Sequence, residues 1–290
     1  MEKLAVWFRL LRGTQWSKNA VVFAALVFGD PRIDHPLLRT LAAFILFCCI
    51  SSAIYILNDW RDMEQDRLHP TKSRRPMAAG MVSARAGLVV AAILATITVI
   101  GSLLVSPWLT LVLAVYALLM LAYIFRLKEV VLLDAFVIAT GFVLRAVAGA
   151  AAVEVPVSAW LALCTMLLAL FLAFGKRRSE LVKLGADASA HRHVLAGYTL
   201  PLLDGLLIMT ASCAIMGYSI YSFTSESVPT NGAMMLSVPF VVFAIMRYLY
   251  LLVSKGEGGA PETLLWRDMP LLIAVVLWGV TVLAVMTLGG

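Results

Sequence analysis

The sequence predicts an all-α, polytopic membrane protein. Of its 290 residues, 62% are hydrophobic and only 14% are charged, and the mean hydropathy is +0.93. Apolar runs repeatedly reach the roughly 20 residues that a helix needs to cross the core of a bilayer. These runs are continuously apolar, whereas the strands of a membrane β-barrel alternate apolar and polar residues.

The first segment interrupts its apolar residues with charges, at Glu2, Arg9, Arg12 and Lys18. A signal peptide has a continuous apolar core and a small-residue cleavage site, so this pattern instead predicts a helix at the membrane surface. About nine spans follow, the first of which is short. Their predicted bounds are 19–29, 37–58, 84–104, 108–125, 131–152, 157–174, 199–223, 234–253 and 269–288.

Lys and Arg residues concentrate in the segments that alternate spans place on the N-terminal side of the membrane. Because positive charges favour cytoplasmic loops, the N-terminus is predicted to be cytoplasmic. The same distribution accounts for the net charge of +6. The basic residues are divided among short loops and form no basic arm, which argues against nucleic acid as a partner.

Polar loops recur along the chain at an offset of about 120 to 130 residues. The paired loops are 58–83 with 175–198, and 126–130 with 254–268. This recurrence predicts a single integral membrane domain, 1–290, made of two four-helix halves at about 37–152 and 157–288. All four loops are expected at one face, so a site there would have the helix bundle behind it for an apolar group.

The most polar stretch follows the second predicted span and reads YILNDWRDMEQDRLHPTKSRRPMAAG, residues 55–80. Asn58, Asp62 and Asp66 are spaced i, i+4, i+8, so a continued helix would stack them on one face and turn Asp59 aside. Carboxylates one turn apart repel each other. Because Mg²⁺ prefers carboxylates, waters and substrate phosphates as ligands, Asn58, Asp62 and Asp66 are the predicted metal ligands and catalytic residues.

Basic residues follow directly in HPTKSRRP, where two prolines prevent the helix from continuing. Lys72, Arg74 and Arg75 are predicted to bind phosphate oxygens that the metal leaves uncompensated. The alternative is a cytoplasmic loop in which the basic residues serve topology and the carboxylates are counter-ions. That alternative explains the basic residues equally well, but it does not explain repelling carboxylates one turn apart.

The pattern Asn58-Asp59-x-x-Asp62-x-x-x-Asp66 resembles the first aspartate motif of the UbiA superfamily of intramembrane prenyltransferases. The resemblance implies a bundle of about nine helices that binds a prenyl diphosphate through Mg²⁺. The superfamily carries a second aspartate motif, but the corresponding segment of this chain reads FGKRRSELVKLG. Lys176, Arg177 and Arg178 take the place of the second motif, and Glu180 is the only acid left nearby in the sequence.

One carboxylate motif combined with one basic motif resembles the polyprenyl-phosphate phosphoribosyltransferase subgroup of UbiA proteins. The similarity continues along the chain in TQWSKN, YIFRLKEVVLLD, GFVLRAVAGA, YTLPLLD and RYLYLLVSKGEGGAPETLLWRDMPLL. It implies transfer of the 5-phosphoribosyl group from phosphoribosyl diphosphate to a polyprenyl phosphate such as decaprenyl phosphate, for a cell-envelope glycan precursor. It further implies a bacterial inner membrane location with a cytoplasmic active site. The oligomeric state, including a homo-oligomer, is left open.

The implied reaction needs stabilisation of the leaving diphosphate but no strong base, because a phosphate monoester is largely dianionic at neutral pH. The scarcity of histidine agrees with this: His69, His191 and His193 are loop residues without an obvious partner, and only His69 lies within the motif. Two alternatives remain. One is a UbiA-type prenyltransferase with an aromatic or lipid acceptor. The other, a transporter or non-catalytic protein, is disfavoured because the charges gather at one membrane face.

Further basic residues are candidates for phosphate contacts. Arg145 lies within a span, where a charge usually faces a cavity or a partner, so it is predicted to bind the lipid phosphate or an acid of another helix. Arg126 and Lys128 are candidates for the ribose 5-phosphate, and Lys18 is either a phosphate contact or a membrane anchor. KGEGGAPE is either a lid or a plain loop. The predicted substrate-binding residues are Lys18, Asp59, Lys72, Arg74, Arg75, Arg126, Lys128, Arg145, Lys176 and Arg177.

Overall fold

A computed structural model describes residues 2–28, 33–68, 72–184, 193–225, 228–229 and 231–288. These residues form helices and turns with no strand among them, which confirms the predicted all-α class. Within the same residues, eight helices are long and apolar enough to cross a membrane. The chain is therefore a multi-pass membrane protein, as its composition predicts.

The described residues form twelve α-helices, which are numbered in chain order. They are α1 (Glu2–Leu10), α2 (Ala24–Phe28), α3 (Pro36–Arg61), α4 (Met63–Leu68), α5 (Ala84–Val105), α6 (Pro107–Phe125), α7 (Leu133–Ala152), α8 (Ala159–Leu184), α9 (Leu200–Thr224), α10 (Val238–Ser254), α11 (Pro261–Arg267) and α12 (Met269–Leu288). Short 3₁₀ helices cover Gly13–Phe23, Lys72–Arg74, Leu127–Glu129, His193–Gly197 and Ala233–Ser237. Helices α3, α5 to α10 and α12 provide the eight candidate spans, with α10 extended by the 3₁₀ helix before it.

Local signals in the sequence mark several helix ends. Ser83 and Ser106 cap α5 and α6 by accepting hydrogen bonds from the amides of Ala86 and Trp108. Pro107 then occupies the first turn of α6, where its missing N–H costs nothing. These caps explain why the predicted bounds of the two spans agree with the helices to within one residue.

Helices α3 and α8 extend further than predicted. Helix α3 ends at Arg61 instead of residue 58, and α8 ends at Leu184 instead of residue 174. The expectation of a polar loop from residue 175 is therefore wrong for the first ten residues, which continue the helix. The reason is that Lys, Arg, Glu and Leu all favour helix. Lys176 and Arg177 therefore lie within a helix instead of a loop.

The predicted first span, 19–29, is divided between a 3₁₀ helix and the short helix α2. Close packing accompanies this conformation: a Cβ atom on Gly149 of α7 would lie only 1.9 Å from the carbonyl oxygen of Val22. Helix α7 thus packs directly against the backbone of the 3₁₀ helix. The expected total of nine spans and the cytoplasmic N-terminus stay predictions.

The chain divides into two compact units. The first unit comprises Met1–Arg126 with Leu144–Val157, and the second comprises Leu127–Val143 with Ser158–Gly290. In the first unit α3 packs on α5 around a buried cluster that includes Ile56 and Met77. In the second, α8 packs on α9 around Phe171, Phe174 and their neighbours. The predicted boundary near residue 152 differs, because the first part of α7 belongs to the second unit; the single-domain organisation stays a prediction.

Candidate functional site

The acidic motif lies where α3 passes into α4. The amide of Asp62 donates to the carbonyl of Asn58 at 3.0 Å, and the amide of Asp66 donates to the carbonyl of Asp62 at 2.8 Å. Hydrogen bonds of the helical type thus continue across the junction although α3 ends at Arg61. Asn58 and Asp62 are half-buried, and Asp66 is buried.

Asp59 was expected to turn aside from this motif, and that expectation is wrong. Asp59 and Asp66 are 3% and 2% exposed, and both contact one nitrogen of Arg75. Arg75 Nη1 lies 3.2 Å from Asp59 Oδ1 and 2.5 Å from Asp66 Oδ2. The reason is the helical period: residues seven apart lie two turns apart on the same face, with Asp62 between them.

Arg12 joins the same cluster from the beginning of the chain. Its Nη2 donates to Asp59 Oδ1 at 2.5 Å, and its guanidinium lies 4.7 Å from the centre of the Tyr55 ring. Two aspartates are thereby balanced by two arginines. Burial raises the pKa of the Asp66 carboxyl above its ordinary value, while Arg75 opposes the rise. The sequence offered no local signal for Arg12, which is 47 residues from its partner.

Asp59 and Asp66, with the arginines that contact them, form what we call the acidic cluster. Its carboxylate oxygens are the donors that a hard divalent cation prefers. In the described part of the chain, no three His, Cys, Asp or Glu side chains are grouped so that they could hold a metal. Yet the oxygens of Asp59 and Asp66 converge on one positively charged atom, Arg75 Nη1. A convergence of carboxylates on a cation fits Mg²⁺. Asn58, Asp62 and Asp66 as its ligands stay a prediction.

The remaining predicted basic residues differ in exposure. In the first unit, Lys18 and Lys72 are half-buried, and Arg74 and Arg126 are exposed. Lys72 lies close enough to Asp66 to favour its charged form. In the second unit, Lys128 is half-buried and Lys176 is exposed. His69 and His191 lie outside the described residues, as does the side chain of His193.

Arg145 is held in the interior of the first unit. It is 6% exposed, and its Nε donates to Asn19 Oδ1 at 2.8 Å. Its guanidinium lies between aromatic rings, 5.2 Å from the centre of Phe47 and 5.3 Å from that of Tyr116. Asn19 in turn donates to the Ser51 hydroxyl at 3.3 Å. Asn19 was overlooked in the sequence, although a polar residue beside an apolar run is itself a signal of a functional or structural contact.

Arg177 forms a buried ion pair in the second unit, which corrects the expectation that it presents its charge to a phosphate. Its Nε lies 2.6 Å from Asp134 Oδ2, with the two side chains 4% and 0% exposed. The Tyr198 hydroxyl donates to the other oxygen of Asp134 at 2.7 Å, and burial raises the pKa of that hydroxyl. Neighbouring residues on a helix point about 100° apart, so Lys176 is exposed while Arg177 is buried.

A second ion pair of this unit leads to a prediction about how the stability of the fold depends on pH. Arg247 donates to both oxygens of Asp268, at 3.0 and 2.8 Å, and these hydrogen bonds lower the pKa of the Asp268 carboxyl. A lowered carboxyl pKa stabilises the fold above the ordinary aspartate pKa, and this stability disappears as the pH falls through the folded value. Arg247→Gln should therefore lower the midpoint of thermal unfolding by roughly 2–4 °C at pH 7 and by much less near pH 3.

The control for this measurement is Arg67→Gln, which removes an exposed ion pair to Glu64 at 2.8 Å. Its effect on the midpoint should be small at both pH values. An equal loss of stability for Arg247→Gln at pH 7 and pH 3 would contradict the assigned role of the Asp268 carboxylate.

Known proteins resemble this chain in sequence over most of its length. Residues 19–267 match the UbiA prenyltransferase family. The chain is 34% identical to decaprenyl-phosphate phosphoribosyltransferase of Mycobacterium tuberculosis over 286 residues, which are 97% of this chain and 94% of that protein. It is also 34% identical to the enzyme of the same name from Corynebacterium glutamicum, over 93% of this chain and 83% of that one.

Among solved structures, the fold is similar to that of a UbiA homolog from Archaeoglobus fulgidus bound to GPP and Mg²⁺. The TM-score is 0.72 at 17% identity, and the alignment covers 97% of this chain and 99% of the other. At this identity the likeness concerns the fold.

Proposed function

The chain belongs to the UbiA prenyltransferase family, and we propose that it transfers the 5-phosphoribosyl group of phosphoribosyl diphosphate to a polyprenyl phosphate. The observation that carries this proposal is the 34% identity over 97% of the chain to an enzyme named decaprenyl-phosphate phosphoribosyltransferase. The match extends through both the acidic motif and the basic segment at the end of α8.

The reaction forms a bond between an oxygen of the lipid phosphate and the anomeric carbon of the ribose. The bond from that carbon to the diphosphate breaks, and diphosphate leaves with the electron pair. The lipid phosphate is already largely dianionic at neutral pH, so the protein needs to position it and does not need a strong base. Arg145, buried in the first unit and surrounded by Asn19, Phe47 and Tyr116, is the proposed contact of the lipid phosphate.

The donor is proposed to bind through Mg²⁺ at the acidic cluster, with Asn58, Asp62 and Asp66 holding the metal. When bound there, Mg²⁺ withdraws charge from the leaving diphosphate as a Lewis acid. Arg75 and Lys72 adjoin Asp66 and supply further positive charge for phosphate oxygens. Asp59 shares Arg75 with Asp66 and is further paired with Arg12, which holds it in place.

We place the protein in a bacterial cell membrane with its site at the cytoplasmic face. The distribution of Lys and Arg among alternate loops supports this orientation. The polyprenyl chain of the acceptor would then remain among the apolar helices while its phosphate reaches the polar boundary.

A second candidate, transfer of an isoprenyl group from a prenyl diphosphate, is favoured by the family name and by the related fold solved with GPP. The two candidates differ in the donor. An enzyme with two aspartate motifs can hold a diphosphate by metal from both sides, whereas this chain has basic residues at the second motif. A donor with a further anionic group, as in phosphoribosyl diphosphate, suits that replacement.

The test incubates the purified protein with Mg²⁺, polyprenyl phosphates of several lengths, and either labelled phosphoribosyl diphosphate or labelled geranyl diphosphate. We expect label transfer only from the first donor, and protection against thermal unfolding only by that donor. A ligand at 100 times its Kd stabilises by about 2.7 kcal/mol. Protection and isoprenyl transfer from geranyl diphosphate alone would establish the second candidate instead.

A further inference from the structure

Arg75 contacts two buried aspartates but is itself partly open to solvent. Its Nη1 lies 2.5 Å from Asp66 Oδ2 and 3.2 Å from Asp59 Oδ1. Both aspartates are buried, whereas the Arg75 side chain is 24% exposed. In the pair of Arg177 with Asp134, by contrast, both side chains are almost fully buried. Arg75 can therefore leave its partners without disturbing a packed interior, and Arg177 cannot.

The backbone that carries Arg75 is anchored to the rest of the first unit. The Arg75 amide donates to the Lys72 carbonyl at 2.9 Å, and the Ala79 amide donates to the Arg75 carbonyl at 2.8 Å. Two residues further along, Met77 is 1% exposed and packs in the same buried cluster as Ile56 of α3. A new position of the guanidinium therefore requires rotation of the side chain and no movement of this segment.

The two aspartates depend on Arg75 to different degrees. Arg12 Nη2 also contacts Asp59 Oδ1, so Asp59 keeps a cationic partner when Arg75 moves. Arg12 is itself placed over the ring of Tyr55. The described ion pair of Asp66 is the one with Arg75, through Oδ2. Rotation of Arg75 therefore makes the Asp66 oxygen available to another cation.

Arg75 and a divalent cation exclude each other at Asp66. Mg²⁺ binds a carboxylate oxygen at about 2.1 Å, and Arg75 Nη1 already lies 2.5 Å from Oδ2. Two positive charges on one oxygen repel each other, and burial of the carboxylate weakens the screening by salt and water. A displaced guanidinium suits phosphate oxygens, because it can donate two parallel hydrogen bonds to them.

We propose that Arg75 competes with the metal for Asp66. It holds this carboxylate until a divalent cation binds there, and its guanidinium then turns to the diphosphate of the donor, while Arg12 keeps Asp59 in place. The competition concerns metal binding alone, whereas the turn towards diphosphate rests on the proposed function, which supplies that group. Arg75 thereby couples the two ligands, since metal binding releases a cation for phosphate.

The test compares the Mg²⁺ affinity of the purified full-length protein with and without Arg75. The apparent Kd for Mg²⁺ alone is obtained from the rise of the thermal unfolding midpoint with Mg²⁺ concentration, in the absence of donor. If Arg75 occupies Asp66 in about nine of ten molecules, its removal raises this affinity about tenfold. Arg75→Gln should therefore bind Mg²⁺ about tenfold more tightly than the wild type.

The same variant should respond to the donor in the opposite direction. At saturating Mg²⁺, the KM of Arg75→Gln for phosphoribosyl diphosphate should rise about tenfold, because a charge-assisted contact with phosphate is lost. A purely structural role of Arg75 would instead weaken the binding of both ligands. Tighter metal binding together with weaker donor binding is therefore the signature of the competition.

Arg12→Gln is the matched comparison for the Mg²⁺ measurement. Arg12 is also 24% exposed, but its described ion pair is with Asp59. Its substitution removes the same charge and leaves Arg75 on Asp66, so the Mg²⁺ affinity should change much less than in Arg75→Gln. Arg67→Gln, which removes an exposed ion pair with Glu64, should match the wild type in both measurements.

Arg75→Lys keeps the test valid if Arg75→Gln fails to fold. It retains a positive charge beside the aspartates, but an ammonium group is more strongly hydrated than a guanidinium and donates in no planar fork. It should therefore hold Asp66 less firmly, so that Mg²⁺ binds more tightly than to the wild type and less tightly than to Arg75→Gln.

The inference is overturned if every folded Arg75 variant binds Mg²⁺ with wild-type or weaker affinity, or if Mg²⁺ alone protects neither the wild type nor these variants. It is also overturned if Arg12→Gln tightens Mg²⁺ binding as much as Arg75→Gln, because net charge would then be the cause. The Mg²⁺ measurement contains no donor and so separates this inference from the proposed function. Tighter Mg²⁺ binding in a protein that transfers no phosphoribosyl group would keep the competition and reject the function. Phosphoribosyl transfer by the wild type with unchanged Mg²⁺ affinity in the variants would do the reverse.

Discussion

Asp62→Asn is expected to lower the turnover of phosphoribosyl transfer by roughly a thousandfold, equivalent to about 4 kcal/mol of transition-state stabilisation. Asp62 is half-buried, and its sequence neighbours Asp59 and Asp66 both contact Arg75 Nη1. An asparagine keeps the size of the side chain but removes the charge that holds a divalent ion. The fold should survive, because Asp62 is the least buried aspartate of the three.

Asp66→Asn should abolish turnover as well, but Asp66 is 2% exposed and pairs with Arg75. A loss of activity in that variant must therefore be compared with its thermal unfolding. Glu64→Gln is the matched control, because Glu64 lies on the same short helix with its side chain 75% exposed. It should retain activity within about twofold of the wild type.

Removal of the metal provides an independent check. An excess of chelator should stop transfer by the wild type, and added Mg²⁺ should restore it. Near-normal turnover of Asp62→Asn, or turnover that persists in excess chelator, would contradict the assignment of Asn58, Asp62 and Asp66 as metal ligands.

Asp134→Asn is expected to destabilise the protein by about 3–5 kcal/mol, because it leaves the Arg177 charge buried without its carboxylate. Asp134 and Arg177 side chains are 0% and 4% exposed, and their closest atoms are 2.6 Å apart. The midpoint of thermal unfolding should fall by roughly 10 °C. Asp134→Asn combined with Arg177→Gln should recover much of the loss, because both charges are then absent.

Asp204→Asn is the control for this ion pair. Asp204 of α9 pairs with Arg178 of α8 at 2.5 Å, but the Asp204 side chain is 42% exposed, so removal of its charge should cost about 1 kcal/mol or less. If Arg177 instead serves mainly as a phosphate contact, Asp134→Asn would change the KM for phosphoribosyl diphosphate and leave the unfolding midpoint unchanged. That result would contradict the structural role of the pair.

The helices were largely predictable because their signals are local. An apolar run of sufficient length, a capping serine and a proline in the first turn act within a few residues, and they place α5, α6 and α12 almost where the structure has them. Asn58, Asp62 and Asp66 could also be selected, since their spacing follows the helical period. The family resemblance rests on the same contiguous motifs.

The contacts that organise the candidate site were decided by tertiary structure. Arg12 reaches Asp59 across 47 residues, Arg145 reaches Asn19 across 126, and Arg177 reaches Asp134 across 43. Sequence spacing predicts which residues share one helical face, but it does not predict which face meets another helix, because that depends on how the helices pack. For this reason the sequence by itself determined the membrane fold, the family and the acidic motif. Only the packed helices decided that Asp59 joins the motif, that Arg177 is buried, and that Arg75 contacts both Asp59 and Asp66.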